Sequence, residues 1–340
     1  MNQEINYTYD EIIRSLLEQT SLSDFEITDT ESLTQMPFSD FMGKILELIR
    51  NQMHSPVQTM MLLLGVILLS SAVGSLKQEK AGISQLCDII SVLCAVSIVT
   101  APITEIFLKS AQILEKSADF MVTFSGVFGG ILAVTGNVTA SAGYQGAVLI
   151  LCNIALEVAV RILFPVLTMG LAVSVTDAVN PAVSLSGILV LIKKFTVWVL
   201  GFLMSLFLGF LSVQSVVAVS ADRAGTRAVK YAVSGFVPFI GGAVSDAYAT
   251  VLGSMNILKS TAGMIGVLAV LAILLPVIIE LFLYQIMLSV TASVCEIFGL
   301  RLSGLFRNLE TILSVGFSVA VSFGVMFIVS TGLLATVSNL

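Results

Sequence analysis

From residue 57 onward, apolar runs of about twenty residues alternate with short polar intervals. A hydrocarbon core about 30 Å thick is crossed by roughly 20 residues of helix rising 1.5 Å each. Each run therefore predicts a membrane-spanning helix. The predicted spans are 57–76, 89–108, 121–138, 146–171, 195–213, 264–284 and 312–336. Between the second and third, Ala111, Ile113, Leu114 and Ala118 alternate with Lys109, Glu115, Lys116 and Asp119, the pattern of an amphipathic helix lying in the interface. Two stretches depart from the scheme. Residues 182–192 are apolar but too short to cross, and they stop at Lys193 and Lys194, which suits an interfacial or re-entrant turn. Residues 214–261 mix Arg223, Arg227, Lys230 and Lys259 with the glycine-punctuated apolar run 233–251. The expected fold class is all-α: a polytopic transmembrane helical bundle of about seven spans, within one or two, that includes broken or re-entrant segments.

Residues 1–50 read differently. Thr8 and Glu11 fit a capping box, and Ile12, Ile13, Leu16 and Leu17 then form one apolar stripe, which predicts a short amphipathic helix. Residues 20–40, rich in Ser, Thr, Asp and Glu, read as a linker. Helical spacing returns at Phe41, Ile45, Leu48 and Ile49. Residues 1–30 lack the basic start, apolar centre and small-residue cleavage site of a secretory signal. Either the first span acts as the signal or a leader has been removed. The expected organisation is an acidic extracytoplasmic segment with short amphipathic helices, 1–50, followed by a transmembrane helical domain, 51–340.

Composition agrees with the pattern. Hydrophobic residues make up 56% of the chain and charged residues 11%, against roughly 45–50% and about 25% in soluble domains. Lipid is thus the solvent for most of the chain. Lys and Arg near span ends set orientation. If Lys77, Lys80 and the 223–259 cluster face the cytoplasm, residues 1–50 lie outside, while Lys109, Lys116, Arg301 and Arg307 are expected on the opposite side. Cys87, Cys94, Cys152 and Cys295 form no C-x-x-C pair, so they read as small lipid-compatible side chains, and neither a disulfide framework nor a zinc site is indicated. The single His54 leaves no partner for histidine-based metal sites or triads. Zincin, nucleophile-elbow, P-loop and dinucleotide signatures are missing. No cofactor, nucleic-acid partner or enzymatic activity is expected.

Several intramembrane polar residues are candidates for chemistry. Asn153, Glu157 and Arg161 are four residues apart and share a helix face, with Glu before Arg in the favourable order. An isolated charge at the bilayer centre costs roughly 2.5–3.5 kcal/mol on insertion scales, so pairing is expected. Such a stripe either lines a cavity or ion path or is a self-neutralised pair that fixes packing. Glu280 follows Pro276 by four residues, near a carbonyl freed by the proline. It reads as a proton or ion site, or as a structural acid that is snorkelling or paired with protein. Gly316, Ala320 and Gly324, like Gly126 and Gly130, form ridges of small residues that let helices approach closely.

The most unusual stretch runs from Ser234 to Ala247. Gly235, Pro238, Gly241 and Gly242 would interrupt a helix, and Ser245 and Asp246 stand where they can cap the next one. Non-helical backbone at membrane depth is tolerated only inside protein or beside a water-filled cavity, and transporters use such broken helices for substrate or ion sites. A surface loop followed by an amphipathic helix is the alternative.

The acidic segment before the first span, the run Ser234-Gly-Phe-Val-Pro-Phe-Ile-Gly-Gly-Ala-Val-Ser-Asp-Ala, the downstream Leu258-Lys-Ser-Thr-Ala-Gly263 and the order of spans together resemble the stage III sporulation protein AE family over most of the chain. The resemblance implies a multi-pass protein of the outer forespore membrane, made in the mother cell and required after engulfment. It would belong, with other stage III sporulation membrane proteins, to a channel or transport complex that joins mother cell and forespore across the intermembrane space. Homo-oligomers are compatible with that role. Family members often begin with a signal peptide, and the family brings no catalytic or ligand residues to carry over. The competing reading is a self-sufficient secondary transporter that uses Glu157, Arg161 and Glu280.

Overall fold

The computed structural model describes residues 38–75, 81–134, 138–179, 184–218 and 261–337. All their regular structure is helical: α1 Phe38–Gln52, α2 His54–Ser75, α3 Ala81–Val134, α4 Val138–Val158, a π-helical turn Ala159–Leu163, α5 Phe164–Val179, α6 Ser186–Ala218, α7 Thr261–Ile297 and α8 Leu302–Val337. Among the described residues six helices are long and apolar enough to cross a membrane. The chain is an all-α polytopic bundle.

Helix continuity differs from the sequence reading in three places. The predicted span at 89–108, the interfacial helix after it and residues 121–134 of the next predicted span are parts of one rod, α3, that runs unbroken to Val134 through the charged middle and Pro102. Its 54 residues measure about 80 Å at 1.5 Å per residue, far more than one straight crossing of about 30 Å. The sequence between the apolar runs holds neither glycine nor proline to stop the helix, and α7 supplies a partner for its charge. Residues 186–192 are the first turns of α6 and not a separate interfacial or re-entrant piece. The span expected at 146–171 extends in both directions, as α4, the π-turn and α5. Residues 1–37 and 219–260, which include the predicted N-terminal helix, most of the linker and the whole 234–247 stretch, lie outside the described residues.

The π-turn has a local cause. Pro165 has no N–H to offer the carbonyl of Arg161, and its ring crowds that carbonyl. Widening the preceding turn to i→i+5 bonding, seen in the bond from Phe164 N–H to the Ala159 carbonyl, lets the rod continue.

α8 lies at the centre, with 61% of its most apolar stretch buried, against 28% for the α2 and α3 spans. Lipid is as apolar as leucine, so close packing rather than water release holds such helices together. Small residues enable that approach. A Cβ on Gly316 would sit 2.8 Å from Phe107 Cε1, and one on Gly170 would sit 2.7 Å from Ile312 Cδ1. Ala320 is fully buried between them and Gly324, completing the ridge read from sequence. α7 and α8 form a tight hairpin whose turn uses Gly299 at φ +62°. The Leu300 N–H reaches the Cys295 carbonyl at 3.0 Å and the Gly299 N–H reaches that of Glu296 at 3.1 Å, a Schellman closure.

Paired contacts set the directions. Lys109 meets Glu280 and Phe124 meets Gly266, so α3 runs antiparallel to α7. Gly170 meets Ile312, and Cys152 meets Ser330, so the α4–α5 rod runs antiparallel to α8. It follows that Ser75, Ala81, Val179, Ser186, Ile297 and Leu302 all point to one end of the bundle. Arg301 and Arg307 therefore lie towards the end at which α2 stops and α3 begins. Lys77, Lys80 and the 223–259 cluster, from which the expected orientation is reckoned, lie outside the described residues.

Candidate polar sites between and outside the helices

Many serine and threonine hydroxyls are satisfied within their own helices, although the buried hydroxyls of Ser125 and Thr196 find no partner among the described residues. Ser110, Ser117 and Thr291 each donate to the carbonyl four residues earlier, at 2.6, 2.8 and 2.7 Å, so their hydroxyls cost the bundle little. Charged groups need partners from further away.

The central one is Glu280. Its carboxylate is 14% exposed and accepts from Lys109 Nζ at 2.5 Å, a bond joining α7 to α3. Phe107 sets the geometry: it is buried against Gly316 and lies 6.3 Å, centroid to centroid, from the Phe164 ring. The absence of a side chain at Gly316 lets α3 approach closely, and Lys109, two residues on, then reaches Glu280. Glu280 is thus a protein-paired acid. One turn later Tyr284, fully buried, shares a 2.7 Å hydrogen bond with Ser55 at the start of α2. Side chains on one face of α7 therefore fasten both α2 and α3.

A second knot joins the end of the bundle where α5 gives way to α6. Asp177 accepts from the Leu185 backbone N–H at 2.6 Å and from Asn308 Nδ2 at 3.1 Å. It fastens the α5–α6 connection to α8. Nearby, Arg307 grips Glu296 with two bonds of 3.0 and 3.2 Å and Glu310 with one of 3.4 Å, a forked geometry that clamps the α7–α8 hairpin.

Glu157 and Arg161 do pair, as their spacing predicts, with Arg161 Nη2 donating to Glu157 Oε1 at 3.3 Å. Both face outward, however: the side chains are 58% and 76% exposed. Asn153 is exposed on the same face and bonds its own helix at the Leu149 carbonyl, 3.0 Å away. The structure brings these three residues together along one outer stripe, while Glu280 is engaged with Lys109 inside the bundle. Gly235, Pro238, Gly241, Gly242, Ser245 and Asp246 lie outside the described residues.

Lys109, Asp177, Asn308, Ser55 and Tyr284 were not singled out from sequence. The one available signal was Glu280 itself, an acid without an oppositely charged neighbour one turn away, which demands a partner from another helix. Nothing local distinguishes Lys109 from the other lysines as that partner.

These features define a multi-pass α-helical membrane protein whose inner charges are matched across helices. The family model for stage III sporulation protein AE matches residues 25–338, and the chain belongs to that family. The stage III sporulation protein AE of Bacillus subtilis (strain 168) is 23% identical to it over 164 residues, 48% of this chain and 41% of that protein. The matched stretch thus spans less than half of the relative's length. No solved structure matches the chain.

Proposed function

We propose that this chain is a membrane component of a sporulation-specific channel or transport complex that links mother cell and forespore and is required after engulfment. Family membership supports the sporulation role. The observation that carries the mechanistic half is the Lys109–Glu280 bond, which holds the acid in the middle of the most apolar helix in a clamp between helices. A clamp of this kind builds a rigid scaffold for partner subunits. In this reading the chain sits in the outer forespore membrane, its acidic N-terminal segment meets partners in the intermembrane space, and those partners are other stage III sporulation membrane proteins. It acts through helix packing and partner contacts, without an enzymatic step. The 234–247 stretch is a broken or re-entrant element packed in the membrane domain.

Deleting the gene in its host should leave vegetative growth unchanged and stop development after engulfment; normal spores would remove the reading. The purified chain alone in vesicles should move no solute and should require the other subunits. Solute movement by the chain alone would instead favour a secondary transporter.

A further inference from the structure

We infer that the outer stripe of Asn153, Glu157 and Arg161 is a seam at which two copies of this chain pair. The stripe lies within a membrane span that runs from Leu149 to Val179, with Asn153 about 6 Å and Arg161 about 18 Å from its start at 1.5 Å per residue. Large apolar residues on the same side of the rod, Ile150, Ile154, Ile162 and Met169, are exposed around it. A guanidinium and a carboxylate facing hydrocarbon retain most of their desolvation penalty even when they touch each other. A protein surface that supplies further donors and acceptors relieves it.

The chemistry of the stripe selects the occupant. Two copies inserted in the same orientation pair about a twofold axis along the membrane normal, which lays the two rods parallel, each presenting the same patch. Glu157 and Arg161 are one turn apart, about 6 Å along the axis. That distance is already bridged within one helix, so Glu157 of each copy can reach Arg161 of the other at the same offset. The two bonds form reciprocally and no charge is left over. Asn153 bonds Leu149 with one N–H of its amide, and an amide carries another N–H and an acceptor oxygen. Two such amides facing each other across the axis are complementary, a contact that favours helix association in membranes. All three side chains are thus their own complements. Arg161 also sits in the π-turn, a local widening of the kind found at functional positions.

The test uses two differently tagged full-length copies co-expressed and extracted in mild detergent. Wild-type copies should co-purify. Glu157→Arg in both copies, or Arg161→Glu in both, should lower co-purification at least tenfold, because like charges then face each other. Co-expressing one Glu157→Arg copy with one Arg161→Glu copy should restore it, which no role confined to a single chain can produce. The inference is overturned if wild-type copies do not co-purify, if the single variants pair as well as wild type, or if the mixed pair fails to recover. Asn153→Cys in the otherwise unchanged chain guards against misfolded charge variants. Under oxidation it should give a linked band of twice the mass, which neither the wild type nor Trp198→Cys, exposed on α6, should show. Equal bands in all three would also overturn the inference.

Discussion

A charge inside a membrane bundle is tolerated when a specific neighbour cancels it, and here the decisive neighbour of Glu280 is Lys109, 171 residues away in sequence. Removing either one strands the other, whereas removing both strands neither. Lys109→Ala and Glu280→Ala should each lower thermal stability in detergent, and the double variant should recover part of the loss. A coupling of about 0.5–3 kcal/mol is expected for groups in direct contact. Lys109 is 39% exposed, which favours the lower part of that range. Additive losses in a double-mutant cycle would show that the bond contributes nothing of its own. The isolated acid was legible in the sequence, but its partner was not, because charge pairing across helices depends on register and leaves no periodic trace.

At the scale of elements, the four-residue ridge on α8 marked close packing correctly but could not rank its members. Gly316 and Gly324 look equivalent in sequence. In the bundle a Cβ on Gly316 would press on the rigid Phe107 ring at 2.8 Å, while one on Gly324 would meet Leu274 Cδ1 at an ordinary 3.5 Å. Gly316→Ala should therefore cost about 1–3 kcal/mol through overpacking, and it should also strain the Lys109–Glu280 bond that Phe107 positions. Gly324→Ala should be neutral or stabilising, by up to about 1 kcal/mol, since alanine favours a helix interior over glycine. Melting temperatures of the two purified variants compare them directly, and equal shifts would contradict the assigned role of Phe107. The same scale explains why the sequence pattern divides α3. Its charged middle looks interfacial one residue at a time, yet the polypeptide there favours helix throughout, and the decision to continue comes from α7.

For the molecule as a whole, the contact registers carry a consequence for topology. Arg301 and Arg307 lie towards one end, with Lys193 and Lys194 in the early turns of α6 that start from the same end. Clustered basic residues favour the cytoplasmic face, so that end should be cytoplasmic and the N-terminal segment extracytoplasmic. Ser303→Cys, just after the α7–α8 turn, should react with a membrane-impermeant thiol reagent only after lysis, whereas Ser23→Cys should react in intact cells. Labelling compared with the unaltered chain reads both, and the reverse pattern would invert the assigned orientation.

The sequence by itself determined that the chain is a helical membrane protein, where most spans lie, that residues 153, 157 and 161 share a face, and to which family it belongs. These follow from span-length hydrophobicity, the 3.6-residue period and local motifs, all of which act over short distances along the chain. Only the tertiary structure decided that α3 is one rod, that Glu280 is clamped by Lys109, that Asp177 ties the α5–α6 connection to Asn308, and that the Glu157–Arg161 face points outward. Each of those depends on which helix lies beside which and at what register. Register is set by the fit of side chains such as Phe107 into the gap at Gly316, a property of two surfaces together and of neither alone.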